Sequence, residues 1–233
     1  VVLRTTKLGE ADRIVTMLTE GHGKVRAVAK GVRRSGSRWG ARLEPAWHLA
    51  VQCARGRELD VVTQAETLDA FRPLRESYPL MVRTVAMLEA ADRMSHDRHA
   101  DPGPYRLLVG ALRTLAATGS EAVPAAYLWR LLGLSGFDPV LERCVRCDQP
   151  IGAGIELRFD LDGGGVCCGR CGRDVRRRCS PEARAVLVEL SAGRVRRVLE
   201  AGVASAVLAE VERLGVAAVE HHAERRLRAA ALL

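Results

Sequence analysis

An α+β protein, with a small five-stranded barrel first and a helical region carrying a cysteine-rich module after it, is what this sequence predicts. Three observations predict it. Residues 1–68 are short β-branched runs broken by turn residues. From Leu80 onward apolar residues recur at helical spacing. Six of the seven cysteines fall between Cys144 and Cys179, a clustering that favours a metal site over a disulfide framework.

The strands read in order. "VVLRTTKL" and "RIVTMLT" are separated by "GEAD". "GHG" turns the chain into "KVRAVAKG", where Val25, Ala27 and Ala29 alternate with Lys24, Arg26, Val28 and Lys30. "AWHLAVQCA" and "ELDVVTQAETL", joined by "RGR", complete the set. Five strands with a long connection after the third fit a closed barrel of the OB type, and on strand count an SH3-like barrel fits nearly as well. Beyond "FRPLRESYP", the stretches "LMVRTVAMLEAADRMS", "YRLLVGALRTLAATG" and "AAYLWRLLGLSG" read as helices. Ser180-Pro181-Glu182 then supplies an N-cap with proline at the first helical position, and helices are expected over 181–191, 194–200 and 204–229. The domain boundaries implied are 1–76 for the barrel, 77–143 with 180–233 for the helical domain, and 144–179 for a module inserted in it.

A formal net charge of +8 points to an anionic partner. Abundant arginine also follows from the codon usage of a GC-rich genome, so position along the chain carries more weight than number. Residues 1–50 hold ten basic residues against four acids, and all three lysines (Lys7, Lys24 and Lys30) lie there. "KGVRRSGSRWGARLEP" places Lys30, Arg33, Arg34, Arg38 and Arg42 in thirteen residues with no acid before Glu44. Trp39, in its middle, is a candidate for stacking on a base or for covering the barrel end. The apolar runs fall far short of the ~20 residues of a membrane span. Val1 enters a β pattern with neither basic leader nor signal core, so a cytoplasmic protein is expected.

"CVRC" (144–147) and "CGRC" (168–171) are C-x₂-C pairs separated by twenty residues, the spacing of a zinc site. Two such turns supply four thiolates, enough to complete a tetrahedron with no open position, so one structural Zn²⁺ per chain is expected on Cys144, Cys147, Cys168 and Cys171. Cys167 competes with Cys168, and the x₂ spacing favours Cys168. "IELRFDLDGGGV" reads as a hairpin that returns the second pair to the first. Cys53 reads as a small core residue. Arg143, Arg146, Arg170 and Arg173 are placed to offset the −2 charge of a four-thiolate zinc site, while "RDVRRRC" (173–179) extends beyond that need and is a candidate second anionic contact. There is no phosphate loop of the G-x₄-G-K-[ST] kind, no H-x-E ahead of the cysteines and no H-E-x-x-H, so an enzyme is not expected.

"VVLRTTKLGEADRIVTMLTEGHGKVRAVAKGVRRS", "GARLEP" and "LDVVTQAE" resemble the N-terminal domain of the RecO family of bacterial recombination mediators. "YLWRLLGLSGFDPVLERCVRC" resembles the segment leading into that family's zinc module. The resemblance implies an OB-type domain, a helical domain and a zinc-binding insertion. It implies a protein of the cytoplasm and nucleoid that binds single- and double-stranded DNA and anneals complementary strands without ATP. Such a protein works with RecR to load RecA onto DNA coated by single-stranded-DNA-binding protein (SSB). The family's zinc positions fall on Cys144, Cys147, Cys168 and Cys171. Its basic DNA contacts fall on Lys24, Arg26, Lys30, Arg33, Arg34, Arg38 and Arg42. The competing expectation is a zinc-stabilised adaptor for protein partners without intrinsic annealing.

Overall fold

The computed structural model describes residues 1–37, 39, 42–152 and 154–229. Side-chain alternation sets up the first sheet. In β3 (Gly23–Ala29), Val25, Ala27 and Ala29 face inward and are buried, while Arg26 and the following Lys30 stay exposed. β1 (Val2–Leu8) and β2 (Asp12–Thr19) pair antiparallel, and β2 pairs antiparallel with β3 so that Val15 and Met17 lie opposite Ala27 and Val25. β4 (His48–Ala54) and β5 (Asp60–Asp69) form a second antiparallel pair. A short parallel contact of Ala27 and Val28 with Asp60 and Val61 joins the two pairs, giving the order β1-β2-β3-β5-β4.

The closed barrel is not formed. β1 and β4 are the edges of an open sheet. Two backbone hydrogen bonds, Val2 N to Trp47 O (2.9 Å) and Ala46 N to Val2 O (3.0 Å), bring the start of β1 to the segment that leads into β4. The β1–β2 register shifts between Val2 and Arg4, just beyond that contact, and β1 and β4 do not pair further along the edge. The core is completed instead from the β3–β4 connection, which sends Trp39 and Leu43 in among Val2, Val15, Met17, Ala27, Ala29 and Val62.

At its other end the sheet splits between β3 and β5, and the segment around His96–Arg98 lies against β3. Lys24 N donates to His96 O (3.3 Å), and Arg98 N donates to Lys24 O (2.9 Å). Gly23 adopts φ 61°, and a β-carbon there would stand 1.9 Å from the carbonyl oxygen of His99. Gly23→Ala is expected to cost at least the ~1–3 kcal/mol of a strained left-handed residue, read as a lower urea midpoint for this unit. Gly21→Ala, in open space, is the near-neutral control.

The same unit holds α1 (Arg72–Glu76), α2 (Tyr78–Met94) and α3 (Pro102–Thr118). It spans Val1–Gly119 and Leu227–Leu233. α2 buries Val82, Ala86, Met87, Ala90 and Ala91, spacings that keep one face inward. Asp101 caps α3 by accepting from Gly103 N (2.8 Å), and Gly119 ends it at φ 63°. Ala229 N donates to Glu89 (3.0 Å), holding the late segment in this unit.

The second unit, Ser120–Arg226, contains α4 (Ala122–Leu134), a small sheet of β6 (Leu157–Asp160), β7 (Gly165–Cys167) and β8 (Arg178–Cys179), then α5 (Pro181–Ser191), α6 (Val195–Glu200) and α7 (Ser205–His222). α4 is buried over nearly its whole length, as its apolar sequence requires. Its Trp129 donates Nε1–H to Val211 O of α7 (2.9 Å) and meets Phe159 of β6 edge-on at 5.5 Å, so one side chain ties two helices to the sheet. Ser180 caps α5, its side chain accepting from Ala183 N at 3.1 Å. The helix expected to run to residue 229 stops at His222. Among the described residues, no helix is long and apolar enough to cross a membrane.

Candidate metal centre and nucleic-acid interface

Each C-x₂-C pair sits on a turn, and the β6–β7 hairpin brings the turns together. Val140 N donates to Gly164 O (3.0 Å) and Val145 N to Val166 O (3.0 Å), so the first turn lies along β7. A side chain at Gly165 would prevent this, because its β-carbon would stand 2.3 Å from Val140 O. The sulfurs of Cys144, Cys147, Cys168 and Cys171 all lie within 4.8 Å of one another, and those of Cys147 and Cys168 are 4.0 Å apart. Four sulfurs held tetrahedrally at ~2.3 Å from an ion would be about 3.8 Å apart, so the group could hold a metal ion. Burial raises the Cys144 thiol, but the backbone N–H groups of Cys168, Arg146 and Cys147 outweigh it and bring its pKa to about 6. Cys167, one residue before Cys168, projects from the strand toward Arg158 O (3.6 Å) and lies outside the group. Cys53 is a correction: it is exposed on β4, not in the core.

The arginines around the centre have distinct tasks. Arg146 donates to Asp160 (2.7 Å), Asp174 (2.5 Å) and the carbonyl of Cys171 (2.8 Å), clamping β6 to the second cysteine turn. Asp160 and Asp174 were not legible as partners, since 14 and 28 residues separate them from Arg146. Arg143 pairs with Asp148 (2.5 Å), Arg178 pairs with Glu156, and Arg170 reaches the Cys147 sulfur.

In the first unit the β3–β4 connection is wound around two buried residues. Trp39 is 4% exposed, and its Nε1–H donates to Lys30 O (3.2 Å), closing residues 30–39 into a ring. Trp39 is therefore a core residue and is not offered to a base, which corrects its place among the candidate contacts. Leu43 is 1% exposed. With these two inside, Lys30, Arg34 and Arg42 are exposed, and none has an ion-pair partner among the described residues. Glu44, the acid that ends the basic run, pairs with Arg13 of β2 instead.

The other candidates divide. Arg26 is exposed on β3. Arg33 is exposed but fixed, donating to the carbonyls of Gly9 (3.3 Å) and Glu10 (2.9 Å) in the β1–β2 turn. Lys24 is corrected from backbone contact to structural tie. It is largely buried, donates to Asp92 O (2.7 Å) and faces the carboxylates of Asp92 (3.5 Å) and Asp97 (3.4 Å), with Arg4 on Asp92 from β1 (2.7 Å). Arg38 lies outside the described residues.

An open sheet in the OB strand order, with exposed cations on its β3–β4 connection, and a helical unit bearing a four-cysteine centre define a two-module α+β protein. The family described as Recombination protein O N terminal matches residues 1–71, and Recombination protein O C terminal matches residues 75–231. A DNA repair protein RecO from Nocardioides sp. is 43% identical over 236 residues, covering 99% of this chain and 96% of its own. The DNA repair protein RecO of Frankia casuarinae is 41% identical over 98% of this chain and 94% of its own. That of Cutibacterium acnes is 48% identical over 73% and 72%. The chain belongs to the RecO family of DNA repair proteins.

Proposed function

We propose that the chain works by holding DNA backbones rather than by catalysis: it binds single- and double-stranded DNA and anneals complementary strands without a nucleotide cofactor. In that reading it acts in the cytoplasm at the nucleoid, with RecR, to help load RecA onto SSB-coated strands. One observation carries the DNA-binding part. Burial of Trp39 and Leu43 turns Lys30, Arg34 and Arg42 outward, and the acid that ends the basic run, Glu44, is already engaged by Arg13. Arg26 and Arg33 add to this set. Bringing two polyanions together requires neutralising both, and cations on a folded scaffold do so by releasing counterions.

The four-cysteine centre is read as a Zn²⁺ site that holds the β6–β7–β8 sheet and its flanking turns. Thiolates suit Zn²⁺, and a fully protein-ligated ion has no position left for substrate. Bound there, the metal would supply folding energy and no chemistry.

The test is salt dependence. Substituting Lys30, Arg34 and Arg42 together by Ala should flatten the slope of log affinity against log salt for a single strand by about 2. ATP-free annealing of complementary oligonucleotides should slow in step. An unchanged slope would remove these three cations from the interface, and no annealing at low salt by the folded, metal-loaded protein would transfer the chain to the zinc-stabilised adaptor reading.

A further inference from the structure

Around the metal centre, charge is mostly balanced by contact. Arg143, Arg146 and Arg178 are engaged by Asp148, by Asp160 and Asp174, and by Glu156, and Arg170 turns to a cysteine sulfur. The segment between Cys171 and β8 breaks the pattern. Arg173, Arg176 and Arg177 are all exposed, and among the described residues no carboxylate pairs with any of them. The segment's own acid, Asp174, is drawn off by Arg146.

The backbone beneath them is fixed. Arg146 holds the carbonyl of Cys171 at one end (2.8 Å), and Val175 N donates to Gly172 O (3.1 Å) within a turn. Phe159 N donates to Arg177 O (2.9 Å), and Arg178 and Cys179 pair with Arg158 and Leu157 of β6. Three permanently charged forks on an anchored loop of six residues match phosphate oxygens. We infer that Arg173, Arg176 and Arg177 form a second phosphate-binding surface, carried by the metal module and taking the backbone of a nucleic acid strand. This rests on the reading that the chain binds DNA, and it adds a contact on the unit that lacks the β3–β4 connection.

The full-length protein carrying Arg173→Ala, Arg176→Ala and Arg177→Ala should keep one metal ion per chain. Its slope of log affinity against log salt for a single strand should flatten by about 2. The corresponding triple Lys variant should recover most of the slope. In the unsubstituted protein, a bound oligonucleotide should shield these three arginines from phenylglyoxal, scored by peptide mass spectrometry, while Arg143 and Arg178 change little. Equal modification with and without DNA overturns the inference even if the Ala variant fails to fold. Shielding by poly-glutamate but not by DNA also overturns it and points to an acidic protein segment. An unsubstituted protein with full DNA affinity and an unchanged Ala variant defeats this inference alone. An unsubstituted protein that does not bind DNA defeats the proposed function as well.

Discussion

Cys168→Ala is expected to abolish metal binding and unfold the sheet formed by β6, β7 and β8, whereas Cys167→Ala should leave one metal ion per chain. The two residues are neighbours, and only the strand's alternation separates their roles: one thiol faces the other three sulfurs, the next faces Arg158 O. The module has little else to hold it. Its buried apolar side chains are few, chiefly Leu157, Phe159 and Val166, with the small Cys167 and Cys179. Segments of fewer than about 40 residues seldom bury enough surface to stand without a metal or cross-links. Structural zinc contributes apparent energies of ~10–16 kcal/mol in small domains at neutral pH. Metal content by atomic absorption, with amide exchange across residues 140–180, reads both variants. Full metal content and intact protection in Cys168→Ala would remove the assignment.

Trp39→Ala should lower the stability of the first unit by about 3–5 kcal/mol, the range for deleting a buried aromatic side chain. It should do so in the absence of any nucleic acid, because the indole fills the core that the open sheet leaves incomplete. Trp39→Phe should recover much of that stability while losing the hydrogen bond to Lys30 O. If the indole instead stacked on a base, Trp39→Ala would fold with near-native stability and lose affinity alone. Urea unfolding of each variant, beside single-strand affinity of the Phe variant, distinguishes the two outcomes.

The parts of this protein that were readable from the chain are those set by neighbours in sequence. The alternation of Val25, Ala27 and Ala29, the Ser180 cap and the two C-x₂-C turns each depend on a few adjacent residues, and each takes the expected form. Barrel closure was not readable in this way. Whether β1 meets β4 is a matter of long-range packing, and the Trp39 and Leu43 that the β3–β4 connection places inside leave no local pattern. Lys24 shows the same limit. Its alternation marked it as outward-facing, and so it is, but the outward face at that point is met by Asp92 and Asp97, more than sixty residues away. Trp39 sat in a polar, glycine-rich run that looked like surface, and only the ring closed through Lys30 O shows why it is not.

The return of Leu227 and Ala229 to the first unit bears on how the protein is made. Both are buried there, and Ala229 is bonded to Glu89 of α2. During synthesis the sheet and α1–α3 emerge first, yet their packing is completed by residues that leave the ribosome after the entire second unit has been translated. At ~5–20 residues per second, the roughly hundred intervening residues impose a wait of about 5–20 s. Throughout that interval the first unit lacks these two residues, a window in which a nascent-chain chaperone has something to hold.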